Sequence, residues 1–122
     1  MGNTCKNENS TSKIVQRKIE IDIVCGKYRT GEKVPSTREL VEMYNIGTST
    51  SQKILNEMSA DGILNNFHGK GYFVNEGAKE ILQKTLMKEL ITGFNSYVDF
   101  ACELNLDKNL IQNIINEIYS KK

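Results

Sequence analysis

The single proline of this chain, Pro35, stands immediately before Ser36-Thr37-Arg38-Glu39, and that junction fixes where a helix can start. Proline biases Val34 toward an extended backbone. The S-x-x-E spacing is a capping box, in which the Ser36 hydroxyl accepts the Glu39 N–H and the Glu39 carboxylate accepts the Ser36 N–H. Leu40, Val41, Met43 and Tyr44 give the helix an apolar side, and Asn45-Ile46-Gly47 interrupts it after about two turns. Another helix then begins around Gly47 or Thr48. It carries Ile54, Leu55 and Met58 inward, leaves Thr48, Ser49, Ser51, Gln52, Asn56 and Ser59 accessible, and ends at Ala60-Asp61-Gly62. Ile63-Leu64 and Tyr72-Phe73-Val74 favour strands, with Asn65 to Gly71 as a glycine-rich hairpin tip. Two short helices joined by a tight turn and followed by a hairpin have the order of a winged helix-turn-helix.

Upstream, Met1 to Thr11 is polar and without apolar periodicity, so a mobile arm is expected there. From Ser12, Val15, Ile19 and Ile23 recur every four residues, with Lys13, Arg17, Lys18, Glu20 and Asp22 mostly outside the stripe. This first helix closes near Gly26, a left-handed cap. Downstream, Asn75-Glu76-Gly77 is a hinge. Leu82, Leu86, Leu90, Phe94, Tyr97, Ala101 and Leu104 then advance by three or four residues and form one helical stripe. Asn105-Leu106-Asp107 turns the chain and caps a last helix bearing Leu110, Ile111, Ile114, Ile115, Ile118 and Tyr119. The expected fold is mainly α with a small β element (α+β): an arm over 1–11, a winged helix-turn-helix over 12–75 and a helical tail over 78–120.

At 122 residues the chain has room for one compact domain and a short appendage. Its 25% charged and 39% hydrophobic residues are ordinary globular usage. No apolar run approaches the roughly 18 residues that span a bilayer, and no basic start leads into an apolar signal segment, so the expected location is the cytoplasm. Cys5, Cys25 and Cys102 are widely spaced and suit reduced thiols better than a zinc site or a disulfide framework. Without a second histidine, and without a nucleophile beside a base, neither catalysis nor a cofactor is expected. The net charge of +1 does not announce a polyanion partner, and Lys13 to Asn75 holds nine basic against seven acidic residues. A nucleic-acid surface therefore has to arise from how charges are sorted between faces.

The segment resembles the GntR family of bacterial winged-helix transcription regulators, and specifically its short YtrA-like branch, over roughly Lys13 to Val74. The resemblance rests on the Ile-rich first helix closing at Gly26, on GEKVPSTREL at Gly31 to Leu40, on TSQK at Thr50 to Lys53, and on DGIL and HGKGYFV between Asp61 and Val74. Thr30 stands where the family usually has proline, Ser51 where it usually has an apolar residue, and Phe67-His68 where the wing is often arginine-rich. The resemblance implies double-stranded DNA as partner, a homodimer joined by a short helical tail, and a repressor that binds a palindromic operator.

It also implies that Arg38 reaches DNA from the second helix, where a guanidinium can clamp a phosphate or a guanine edge. Thr48, Ser49, Thr50, Gln52 and Lys53 cluster at the start of the third helix, the end that enters a major groove. Gln52 is suited to adenine and Lys53 to phosphate. His68, Gly69 and Lys70 form the wing tip, close enough to approach a minor groove. Leu86, Leu90, Phe94, Tyr97, Ala101, Ile111, Ile114, Ile115 and Ile118 are the expected dimerisation residues. Two other functions stay open: a protein-interaction adapter that no longer binds DNA, and a regulator whose small-molecule effector enters between the tail helices near Phe94, Tyr97 and Tyr119.

Overall fold

The computed structural model describes the backbone of residues 3–122 and the side chains from Thr11 onward. The elements run α1 (Asn3–Val24), α2 (Thr37–Tyr44), α3 (Thr48–Ala60), β1 (Leu64–Phe67), β2 (Gly71–Val74), α4 (Ala78–Glu103) and α5 (Lys108–Ser120). Met1 and Gly2, the start of the expected arm, lie outside the described residues. The rest of that segment is helical backbone continuous with α1. Once the turn beyond Ser12 is nucleated, each added residue contributes one hydrogen bond, so polar residues can extend a helix that they could not start.

The first packing unit ends at Lys84, and a second covers Thr85–Lys122. In the first, Val15, Ile19 and Ile23 of α1 meet Leu40 of α2, Ile54, Leu55 and Met58 of α3, and Leu64, Tyr72 and Val74 of the hairpin. Ala78 and Leu82 of α4 are buried in the same core, so the packing boundary falls inside α4 rather than at Asn75-Glu76-Gly77. Asp22 was expected outside the apolar stripe but is buried. Its carboxylate is paired with Lys18 at 3.4 Å and Lys27 at 3.9 Å, which offsets the desolvation. Ser51, expected to be accessible, is fully buried, because it lies three, four and seven residues before Ile54, Leu55 and Met58 on the inward face. Its hydroxyl donates to the Gly47 carbonyl at 3.0 Å.

Two turns follow the reading closely. Gly26 has φ +90°, as a left-handed cap requires. The α2 capping box is complete, with Ser36 Oγ accepting Glu39 N–H at 3.2 Å and Glu39 Oε1 accepting Ser36 N–H at 2.9 Å. Because it accepts the Ser36 backbone N–H first, and bonds the Ser36 side chain second, the Glu39 carboxyl sits below the ordinary glutamate range.

The wing is longer than Ile63-Leu64 and Tyr72-Phe73-Val74 indicate. Asn65, Asn66 and Phe67 pair antiparallel with Phe73, Tyr72 and Gly71, leaving only His68-Gly69-Lys70 as the tip. Phe67 meets Phe73 edge to face at 5.4 Å, a diagonal contact that favours pairing over loop. The extended Lys33-Val34 lies along the other edge of β2: Val34 N–H donates to Tyr72 O, and Lys33 bridges Phe73.

In the second unit, Asn105 takes φ +59° and turns the chain after α4. Asp107 is the N-cap of α5, but its side chain makes no capping bond, unlike Ser36. No residue of α5 is buried.

Candidate nucleic-acid interface

The expected contact residues sit on three pieces of chain, the start of α2, the first turns of α3 and the wing, and one hydrogen-bond seam ties the three together. Thr37, the first residue of α2, donates its hydroxyl to Gln52 Oε1 at 3.1 Å. Gln52 Nε2 donates both to Asn56 Oδ1 at 3.1 Å and to the Tyr72 hydroxyl at 2.8 Å. Tyr72, buried in β2, donates in turn to Asn56 Oδ1 at 3.1 Å. Such a closed network fixes side-chain positions more firmly than its members would singly.

The chain neighbours of that seam are the expected DNA contacts. Arg38 follows Thr37, Lys53 follows Gln52, and Gly69 and Lys70 precede the Gly71-Tyr72 step. Arg38, Thr48, Ser49, Lys53, His68, Gly69 and Lys70 are exposed, whereas Thr50 and Gln52 are half-buried. Gly47 has φ −72° and ψ 159° and caps α3 without a side chain, so the first amides of the helix carry no side-chain cap and are available to an anion. Among the described residues Arg38, Lys53 and Lys70 carry no ion pair, which leaves their charge for a polyanion.

Besides Thr37, three residues outside the expected set join these elements. Asn56 and Tyr72 complete the seam. Lys33 crosses the wing at Gly71, where a Cβ would stand 2.6 Å from Lys33 Cε. Gly71, at φ +117°, is the position that makes this approach possible. A tyrosine on an apolar strand reads simply as core, so Tyr72 gave no sign of a polar role. Asn56 could have been found from its spacing of four residues from Gln52.

In the tail, Leu90, Phe94, Tyr97, Ile114 and Ile118 are exposed, Leu86, Ile111 and Ile115 are half-buried, and Ala101 is buried. Met87, Ile91, Val98, Phe100, Leu104 and Leu110 also remain exposed, so the apolar surface is wider than the single stripe of the sequence. A cavity of about 460 Å³ lies in the first unit, lined by Ile23, Gly26, Tyr28, Arg29, Thr30, Val74 and Lys79 rather than by the tail aromatics. Burial, and then the charge of Asp22, push the Tyr28 phenol above its ordinary range.

A helix-turn-helix with a two-stranded wing and unpaired cations around its recognition helix is a DNA-binding class of domain. The family described as "Bacterial regulatory proteins, gntR family" matches residues 11–74, slightly over half of the chain, and the protein belongs to that family of transcription regulators. Over 60 residues the chain is 37% identical to the "Probable fructoselysine utilization operon transcriptional repressor" of Escherichia coli (strain K12), matching 49% of this chain and 25% of that protein. It is 33% identical over 67 residues to the "HTH-type transcriptional repressor YtrA" of Bacillus subtilis (strain 168), matching 52% of each. The chain thus spans between a quarter and about half the length of these curated relatives. A GntR family transcriptional regulator from Listeria monocytogenes superposes with TM-score 0.73 at 25% identity, over 87% of this chain and 92% of that one. AraR(DBD), solved in complex with operator ORR3, superposes with TM-score 0.51 at 26% identity over 52% of this chain and 77% of that one. The match to a YtrA-type repressor agrees with the short branch named from the sequence. No helix among the described residues is long and apolar enough to cross a membrane.

Proposed function

We propose that this regulator is a cytoplasmic homodimeric repressor that binds a palindromic double-stranded DNA operator in a sequence-specific way. The observation that carries the proposal is the exposed apolar face of the tail: no α5 residue is fully buried, and Phe94, Tyr97, Ile118 and Tyr119 are 47%, 76%, 51% and 75% exposed. Apolar surface of that extent needs a cover, and a second copy of the same two helices supplies a self-complementary one. A two-fold pair sets two reading heads against two half-sites, so contacts too few for one head act twice. Arg38, Lys53 and Lys70, exposed and without an ion pair among the described residues, support DNA over an adapter role, because cations on the recognition helix and beside it can displace counterions from phosphates. Occlusion of a promoter by such a dimer is the simplest route to repression, and the two curated relatives named above carry the descriptions "Probable fructoselysine utilization operon transcriptional repressor" and "HTH-type transcriptional repressor YtrA".

Selection of bound duplexes from a random pool, followed by titration in varied salt, tests the proposal. One enriched palindrome is expected. If each head neutralises about three phosphates, log K should fall with log salt with a slope near −5 for the dimer. Arg38→Ala and Lys53→Ala should each weaken binding and flatten that slope by about 2, one phosphate being lost from each half. No enriched sequence, or normal affinity in both variants, refutes the assigned surface.

A further inference from the structure

The seam between the recognition helix and the wing changes which side chain can read bases. A carboxamide nitrogen has two hydrogens and its oxygen two lone pairs. Both hydrogens of Gln52 Nε2 are committed, one to Asn56 and one to Tyr72, and Thr37 occupies one of the Oε1 lone pairs. Bidentate reading of adenine needs one free N–H and one acceptor on the same amide, so Gln52 in this arrangement cannot supply it. Asn56 is the complement. Its Oδ1 accepts from Gln52 and from the Tyr72 hydroxyl, which fills both lone pairs, while its Nδ2 has no partner among the described residues. Asn56 is exposed and lies four residues beyond Gln52 and eight beyond Thr48, on the same side of α3.

We propose that Asn56 is the amide through which the recognition helix reads a base, as a hydrogen-bond donor only, and that Tyr72 and Gln52 are positioning residues that hold its carbonyl away from DNA. The edge it fits is an acceptor in the major groove: purine N7, guanine O6 or thymine O4. Thr37 completes the alignment from α2, so one tyrosine hydroxyl on the wing sets the polarity of a contact on another element.

This inference rests on sequence-specific binding as proposed above, and the test separates the two. The full chain and three variants, Asn56→Ala, Asn56→Asp and Tyr72→Phe, are each put through selection from the same random duplex pool. Dimerisation and thermal unfolding are recorded in parallel. Asn56→Ala is expected to relax the preference at one base pair of each half-site about tenfold, with any further change confined to the base pair beside Gln52, whose N–H it releases. Asn56→Asp replaces the donor by an acceptor and is expected to disfavour the original base at that same position. Tyr72→Phe keeps the ring in the core and removes one of the two bonds to Asn56 Oδ1, leaving Gln52 alone to hold the amide, so the same position should broaden.

A wild-type pool with no enriched sequence overturns both readings. An enriched wild-type motif that Asn56→Ala leaves intact overturns only this one. A Tyr72→Phe profile identical to wild type overturns the positioning role, and a preference for a donor such as cytosine N4 at the Asn56 position overturns the assigned polarity.

Discussion

Truncating two side chains of α5 separates pairing of the tail from its folding. Ile114 and Ile118 are 41% and 51% exposed, so roughly half of each side chain remains to be covered. Full burial of an isoleucine is worth about 2 kcal/mol, which leaves about 1 kcal/mol for each residue on pairing. In a two-fold dimer each position occurs twice, so Ile114→Ala with Ile118→Ala removes about 4 kcal/mol of association energy. That is roughly a thousandfold rise in the dimer dissociation constant. Alanine is the best helix former and no α5 residue is buried, so the helix itself should persist in the monomer. Sedimentation velocity over a concentration series reads the dissociation constant, with circular dichroism as the control on helicity. Operator binding should weaken in parallel for a palindrome and stay unchanged for an isolated half-site. A wild-type chain that is monomeric at every concentration, or a double variant that pairs as tightly as wild type, refutes the assignment of this face.

Ser36→Ala removes the cap of α2 and should cost about 1 kcal/mol, seen as a fall in the thermal midpoint. Because the folded Glu39 carboxyl lies below the ordinary glutamate range, its contribution is complete above that range and is lost as pH falls through the lowered value. Glu39→Gln should therefore flatten the acid limb of stability against pH, and an unchanged limb refutes the box as its source. Gly71→Ala forces φ +117° on a residue with a Cβ; Lys33 Cε, 2.6 Å away, can swing aside, so the backbone sets a cost of about 1–3 kcal/mol in denaturant unfolding. Gly69→Ala, at φ +80° with nothing within 4 Å, should strain the wing without displacing Lys33. If Lys33 contacts phosphate, only the Gly71 variant lowers the salt slope of DNA binding. Ser51→Ala should change stability by less than about 1 kcal/mol, because the Gly47 carbonyl still accepts the Ser51 N–H at 3.0 Å.

What the sequence made legible was decided by neighbours in the chain. The capping box, the Gly26 turn, the break after Tyr44 and the helical stripes of α1, α4 and α5 all depend on residues within a few positions of one another, and each appears in the structure. Period also identifies Ile54, Leu55 and Met58 as core, but Ser51 shares their face, and a hydroxyl at an apolar position masked it. The wing strands are longer than the sequence indicates for a related reason. Asn65 and Asn66 are poor strand formers, and they pair because Phe67 gains Phe73 across the sheet, a contact invisible to local propensity.

The contact surface depends on partners far apart in the chain. Gln52 looked like a reader because a glutamine at the start of a recognition helix has an amide suited to adenine. Its partners are Thr37, fifteen residues before it, and Tyr72, twenty residues after it, and only the fold brings both within hydrogen-bond distance. A carboxamide has a fixed number of hydrogens and lone pairs, so what the seam consumes is subtracted from what a base can receive. In the proposed operator complex, a head with few cations would discriminate through the polar atoms left unspent, since phosphate contacts position without specifying. Of the two amides in the seam, the one with a donor left unspent is Asn56, and its carbonyl accepts from a tyrosine that the sequence marks only as part of a strand-favouring run.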